Sequence, residues 1–258
     1  MGSETSSQDE QHVLIATDFD GTLCPIADSP EQVRVDPEMI VALRRLVQSP
    51  RIRLAVISGR SLDDVSNRLP VDAVFAGNHG LEIRIDGKDF QHRVARRLRP
   101  ELVVVCKFLR DVIKPWQGSW LEDKELTATV HYRNVEPSEQ AGLVQAVTKT
   151  VEPLRYRFVL RRAKKALELC PKVPWSKGDA LNYIQRKLGP FDTCFCLGDD
   201  DNDEAMFKAN RTQWNIKVGY GPSSAQFYLP DSSAVTAFFV SFAAGNIVLR
   251  NGQHSQYS

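Results

Sequence analysis

The chain has 258 residues, 42% of them hydrophobic and 25% charged, an ordinary globular composition that excludes a disordered or fibrous protein. At roughly 100 to 200 residues per domain, that length implies one large domain or a core with one sizeable insertion. A balance of 33 basic against 32 acidic residues, net +1, argues against a general nucleic-acid binder.

The chain opens on MGSETSSQDE, acidic and polar where a secretory signal would be basic and then apolar. No run of about 18 apolar residues follows, so the expectation is a cytoplasmic protein without a membrane partner. Residues 12–18, HVLIATD, form a short apolar run that stops at the acidic turn DFDGT, which reads as a buried strand and a loop. A helix comes next, with Asp36 as cap, Pro37 in its first turn, and Ile40, Leu43 and Val47 recurring on one face. IRLAVISG at 52–59 is a second buried strand, SLDDVSNRL opens with a capping-box-like Ser61 and Asp64, and AVFAGNHG at 73–80 is a third strand. This alternation with short links predicts parallel strands joined by right-handed crossovers.

The rhythm then changes. RPELVVVCKFLRDVI reads as a helix, ELTATVHYR as a half-exposed strand, PSEQAGLVQAVTKTV as a helix, and RYRFVLRR with KALELC as antiparallel strands. Residues 86–175 carry 18 basic and 11 acidic residues, net +7, against 15 basic and 21 acidic elsewhere, net −6. The expected fold class is therefore α/β: a Rossmann-like parallel-sheet core with helices on both faces, residues 12–85 and 176–250, interrupted by a smaller basic α+β unit at 86–175. After Pro174 the core resumes with a helix from Ser176 to Leu188 ended by Gly189 and Pro190, the strand TCFCLGD, a helix through EAMFKA and the strand NIKVG. NGQHSQYS closes the chain and is expected to fray. The five cysteines, Cys24, Cys106, Cys170, Cys194 and Cys196, are scattered and contain no CxxC pair, so they suggest neither disulfides nor zinc, and Cys194 with Cys196 read as small residues on one buried strand face.

In open parallel sheets a ligand lies outside the carboxyl ends of the strands. Asp18 and Asp20 follow the first strand there, Ser58 the second, and Asp199, Asp200 and Asp203 the strand TCFCL, while Lys177 opens the resumed helix, where the helix dipole favours an anion. Oxygen ligands without histidine or thiolate suit Mg²⁺. A carboxylate beside such an ion can attack phosphorus, a second one two residues on can protonate the leaving oxygen and then activate water, and Ser58 and Lys177 would hold phosphoryl oxygens. Taken singly, each has a plainer reading: a solvated glycine turn at DxDGT, a helix-entry Ser58, a surface Lys177, an acidic helix cap at Asp199 to Asp203. Their order and shared location favour the chemical one.

DFDGTL at 18–23, SGR at 58–60, Lys177 in SKGDAL and GDDDNDEAMF at 198–207 resemble the four motifs of the haloacid dehalogenase superfamily of phosphatases. The resemblance implies Asp18 as nucleophile, Asp20 as general acid/base that also offers its carbonyl to Mg²⁺, Asp199 as a metal ligand, and Asp200 and Asp203 as support for the metal. Within that superfamily, GNHGLEIR at 77–84, the set Glu122, Lys124 and Arg133, KKALEL at 164–169 and the GDDxxDEAMF form resemble trehalose-6-phosphate phosphatases over nearly all of 12–245. It implies that the insert is a mobile cap from which Glu122, Lys124, Arg133 and Glu168 face a sugar, with Asn78 and His79 near the site's floor and Gly59 and Arg60 also binding substrate. Cys170 and Asn202 depart from the family pattern, which bears on the sugar rather than on the phosphatase chemistry. Glu122, Lys124 and Glu125 also read as a solvated loop, Arg133 as an exposed strand residue, His79 as a hydrogen-bonded loop histidine, and Trp116, Trp120 and Trp175 as core or hinge packing rather than sugar contacts. The expected activity is Mg²⁺-dependent hydrolysis of trehalose 6-phosphate by a monomer whose partner is a small sugar phosphate. The rival readings are a sucrose or glycosyl-glycerate phosphate as substrate, and a non-catalytic sugar-phosphate-binding regulator.

Overall fold

In the computed structural model residues 11–27, 30–212 and 214–246 are described, and the tail NGQHSQYS lies outside them. β1 (Val13–Thr17) is buried at every position because it runs through the middle of the large sheet with parallel partners on both sides. α1 (Pro37–Leu46), β2 (Ile52–Ile57), α2 (Leu62–Arg68) and β3 (Val74–Gly77) build outward from it. The caps read from sequence are in place: Asp36 accepts from the Glu38 amide at 2.8 Å, and Ser61 accepts from the Asp64 amide at 3.3 Å. β4 (Glu82–Ile85) and β5 (Lys88–Gln91) then form an antiparallel hairpin at that edge.

The inserted unit comprises α3 (Arg93–Ile113), β6 (Trp120–Asp123), β7 (Ala128–His131), α4 (Gln140–Val151), β8 (Phe158–Ala163) and β9 (Ala166–Pro171). Its strands form a separate antiparallel sheet in the order β6-β7-β9-β8. The chain returns through α5 (Lys177–Leu188), β10 (Thr193–Gly198), α6 (Glu204–Ala209), β11 (Trp214–Val218), β12 (Phe227–Leu229) and α7 (Ser232–Ala243). The large sheet is ordered β12-β11-β10-β1-β2-β3-β4-β5. The strands on either side of the insert thus lie in one sheet, and the fold is the α/β class expected.

Alternate residues of the central strands feed two cores. Ile15, Leu54, Val56, Phe195 and Leu197 pack with Met39 and Leu43 of α1 and Phe239 of α7, while Leu14, Ala16, Ala55 and Ile57 pack with Leu181 and Ile184 of α5 and Met206 and Phe207 of α6. Cys194 and Cys196 lie together in the second core, and all five cysteines are buried and free. In the insert, Val130, Leu167 and Leu169 pack on Leu102, Cys106 and Leu109 of α3 and Leu143 and Val147 of α4. That leaves the opposite face of the small sheet turned toward the carboxyl ends of the large sheet's strands.

Three features differ from the sequence expectation. Residues 88–91 pair with β4, so this stretch belongs to the large sheet although 86 was the expected start of the insert. The helix expected from RPELVVV starts earlier, at Arg93, and runs through Pro100; its N-cap is His92, whose Nδ1 accepts from the Ala95 amide at 3.4 Å. Pro100 thus sits inside the helix, where it offers no amide to the Arg96 carbonyl. β6, β12 and α7 lie in segments that carry no clear period in sequence.

Candidate active site

The ends of β1 and β10 and the start of α5 converge on one acidic floor. Asp18 is buried immediately after β1 and accepts from Lys177 Nζ at 2.6 Å. Lys177 sits at the first position of α5, fixed by a capping box in which Ser176 Oγ accepts from the Asp179 amide and Asp179 accepts from the Ser176 amide at 2.9 Å. The same Nζ donates to Asp203 Oδ1 at 2.7 Å, and Asp203 Oδ2 accepts from the Asp200 amide at 3.0 Å. Both Asp203 oxygens are therefore engaged behind the floor. Asp199 completes the cluster: oxygens of Asp18, Asp199 and Asp203 lie within 4.8 Å of one another. The carboxylate of Asp199 comes so close to the turn after β1 that a Cβ at Gly21, whose φ is +80°, would overlap it.

One ammonium cannot balance three clustered carboxylates. Burial first, then Asp203 and Asp199, against the opposing charge of Lys177, hold the Asp18 carboxyl well above its usual range. Burial and Asp203 push Asp199 up to about 6. Burial alone would lower Lys177, but Asp18 and Asp203 raise it, so it is an ammonium. A cluster of hard oxygen donors with excess negative charge fits a divalent cation such as Mg²⁺ or Ca²⁺. Asp200 stands apart: it is exposed, lines the cavity rim and accepts from the Asp201 amide at 2.7 Å.

Arg60 occupies the next position along the floor. Its Nε and Nη2 reach both oxygens of Asp20 at 2.7 Å, and its Nη1 reaches Asp64 at 2.6 Å. Its guanidinium also lies 5.5 Å from the centre of the Phe19 ring. Ser58 is buried below the cavity, where its Oγ accepts from the Arg60 amide at 3.1 Å. Gly59 lines the cavity against His79, whose ring a Cβ at Gly59 would meet at 2.9 Å.

The insert supplies the roof. Strand register places Glu122, Thr129 and Glu168 opposite one another, in one row across β6, β7 and β9. Glu168 Oε1 accepts from Lys124 Nζ at 2.5 Å, its Oε2 is 2.8 Å from His79 Nε2, and Lys124 Nζ also donates to the Gly59 carbonyl at 2.9 Å. Burial alone would raise Glu168, but His79 and Lys124 hold it well below the ordinary glutamate range. Glu122 is 2.9 Å from His131 Nε2, and burial is again outweighed, so its carboxyl is lowered. Between floor and roof lies a cavity of about 310 Å³, the size of a small-ligand pocket.

Asp18, Asp20, Gly59, Arg60, His79, Glu122, Lys124, Arg133, Glu168, Lys177, Asp199 and Asp200 all line this cavity. Ser58, Asn78 and Asp203 do not. Asn78 is fully buried and clamps the insert to the core: its Nδ2 donates to Glu82 at 2.7 Å and to the Lys124 carbonyl at 2.8 Å, and its Oδ1 accepts from Thr127 Oγ1. Sequence reasoning missed Thr129 and His131, which the alternation in ELTATVHYR marks as one polar face; that face turns to the cavity rather than to solvent. Of the three tryptophans, Trp175 packs on Phe90 and donates to the Gly80 carbonyl, Trp116 packs on the core of the insert, and Trp120 lines the cavity.

A parallel sheet with aspartates after its central strands, a lysine opening the returning helix and an α+β unit inserted above them defines a haloacid dehalogenase-like fold. A haloacid dehalogenase-like hydrolase from Bacteroides thetaiotaomicron matches it with a TM-score of 0.65 at 16% identity, over 90% of this chain and 100% of that one. The trehalose-phosphatase family pattern matches residues 16–233, and the chain belongs to that family. It is 34% identical over 206 residues to a trehalose-phosphate phosphatase of Mycobacterium leprae, 75% of this chain and 47% of that one. It is 37% identical over 203 residues to an uncharacterized glycosyl hydrolase of Mycobacterium tuberculosis, 75% of this chain and 15% of that one, so it spans half or less of these relatives. The structure of a trehalose-6-phosphate phosphatase related protein matches with a TM-score of 0.80 at 24% identity, over 90% and 98% of the two chains.

Proposed function

We propose that the protein hydrolyses trehalose 6-phosphate to trehalose and phosphate, with Mg²⁺, through a phosphoryl group carried on Asp18. The observation that carries this reading is the buried Asp18–Lys177 pair at the floor of a cavity whose roof carries the row Glu122, Thr129 and Glu168. Family membership and the mycobacterial relatives support the substrate.

In the first step Asp18 attacks phosphorus, the bond from phosphorus to the sugar oxygen breaks, and that oxygen takes a proton from Asp20. In the second, water attacks phosphorus as Asp20 takes its proton; the bond to Asp18 breaks and inorganic phosphate leaves. Lys177 neutralises charge on Asp18 and holds phosphoryl oxygen in place, while Asp203 and the capping box hold Lys177. Asp18, Asp199 and the Asp20 carbonyl would hold magnesium, which when bound supplies positive charge against the phosphoryl oxygens. Arg60 grips Asp20 from outside the metal cluster, and Ser58 acts through the Arg60 backbone rather than from the cavity wall. Above them the insert acts as a cap, with Glu122, Lys124, Arg133 and Glu168 as partners for sugar hydroxyls. No helix among the described residues is long and apolar enough to cross a membrane.

A panel of sugar phosphates tests the substrate. The highest kcat/KM is expected for trehalose 6-phosphate over sucrose 6-phosphate and glucosylglycerate phosphate. A higher value for either rival refutes the assignment, and no turnover of any, with Mg²⁺ present, refutes the enzyme.

A further inference from the structure

Lys217 is a buried lysine that the phosphoryl chemistry above does not use. It belongs to β11, whose Ile216 and Val218 enter the core beside Val235 and Phe239, so the side chain between them leaves the opposite face of the sheet. Burying a lysine without a partner is costly, and here its Nζ donates to the Asp199 carbonyl at 2.6 Å. Strand register explains the reach: Lys217 pairs with Gly198 across β10 and β11, and Asp199 is the next residue. The peptide that joins Asp199 to Asp200 is therefore held at both of its polar groups. Its carbonyl accepts from Lys217, and its amide, that of Asp200, donates to Asp203 Oδ2 at 3.0 Å. Asp203 itself packs on the end of β10, where a Cβ at Gly198 would overlap its carboxylate, and its other oxygen accepts from Lys177.

A peptide is planar, so pinning both its edges limits how far the Asp199 carboxylate can swing away from Asp18. Mg²⁺ demands near-ideal octahedral geometry, and its affinity therefore depends on how the ligands are held as well as on which ligands are present. We propose that Lys217 is a positioning residue for the divalent cation: by holding the Asp199 carbonyl from β11, it aims the Asp199 carboxylate at the metal. This inference rests on the metal reading above. Charge and orientation predict opposite signs for the loss of this lysine. A positive charge beside a cation site repels the cation, so removing the charge alone would tighten binding, whereas removing the orientation weakens it.

The test titrates Mg²⁺ into wild type, Lys217→Met, Lys217→Gln and Ser223→Ala by calorimetry, without substrate. Methionine fills most of the same space without a donor, and glutamine falls one atom short of the lysine nitrogen. Ser223→Ala removes a bond to Glu204 at the start of α6 and leaves the Asp199 carbonyl alone. The Mg²⁺ dissociation constant should rise about tenfold or more in both Lys217 variants, the range usual for losing a partner that orients a metal ligand, and stay within about twofold in Ser223→Ala. A wild type that binds no Mg²⁺ refutes the metal reading itself. Unchanged or tighter binding in a folded Lys217 variant overturns the positioning role. So does an equal loss in Ser223→Ala, which would show general loosening of this end of the sheet. Either Lys217 variant decides by itself if the other does not fold.

Discussion

Asp18 and Glu168 show opposite uses of burial. Asp18 gathers negative charge with Asp199 and Asp203 around one lysine, a charge excess that suits a cation; Glu168 is surrounded by His79 and Lys124, which leave it anionic. Asp18→Asn keeps the shape but removes the nucleophile, and turnover should fall by more than about a hundredfold while the circular dichroism spectrum is retained. Activity within about tenfold of wild type would remove Asp18 from that role. Glu168 makes a pH prediction. Its folded value lies below the ordinary 4.5, so the stability it adds is present above 4.5 and is lost as pH falls through the lower folded value. Acidification below about pH 4 should therefore lower Tm more in wild type than in Glu168→Gln. Equal slopes would show that the network does not stabilise the fold.

At the scale of elements, catalysis depends on where α5 begins. Ser176→Ala removes the cap that fixes the first turn carrying Lys177 and should cost about 1 kcal/mol in urea denaturation. An unchanged midpoint would show that tertiary contacts alone set that turn. The α5 start was legible in sequence because Ser176 and Asp179 have capping-box spacing and Gly189 with Pro190 end the pattern. The central strands were legible because strands buried on both faces read as continuous apolar runs. Other elements were not. α7 sits in SSAVTAFFVSFA, where apolar residues surround the helix and blur its period, and β12 has only three residues. The β4–β5 hairpin did carry a signal, Asp86-Gly87 between alternating residues, with φ of 48° and 75° at the two turn positions. The floor carboxylates were legible because they follow strands at fixed spacing. Asn78 and Arg60 were less so, since what each grips, the Lys124 carbonyl and Asp20, comes from 46 and 40 residues away in the chain.

For the whole molecule, core and insert meet through few but buried polar contacts. Asn78→Ala takes from Thr127 Oγ1 its acceptor and from Glu82 Oε1 one of two donors, the Leu62 amide remaining, and should cost about 1 to 3 kcal/mol by urea denaturation. A neutral result would mean that the two units hold together without this clamp. Metal should couple to the same fold: Mg²⁺ is expected to raise Tm of wild type but not of Asp199→Ala, and EDTA to abolish turnover. Full activity of a metal-stripped sample would sink the metal assignment. The central claim, that Asp18 carries the phosphoryl group of trehalose 6-phosphate, is tested most directly by quenching steady-state turnover with borohydride, which reduces an aspartyl phosphate to homoserine, and locating the product by peptide mass spectrometry. The account predicts homoserine at position 18, dependent on trehalose 6-phosphate and Mg²⁺; an unaltered aspartate at position 18, or homoserine at another aspartate, in enzyme that is turning over would contradict it.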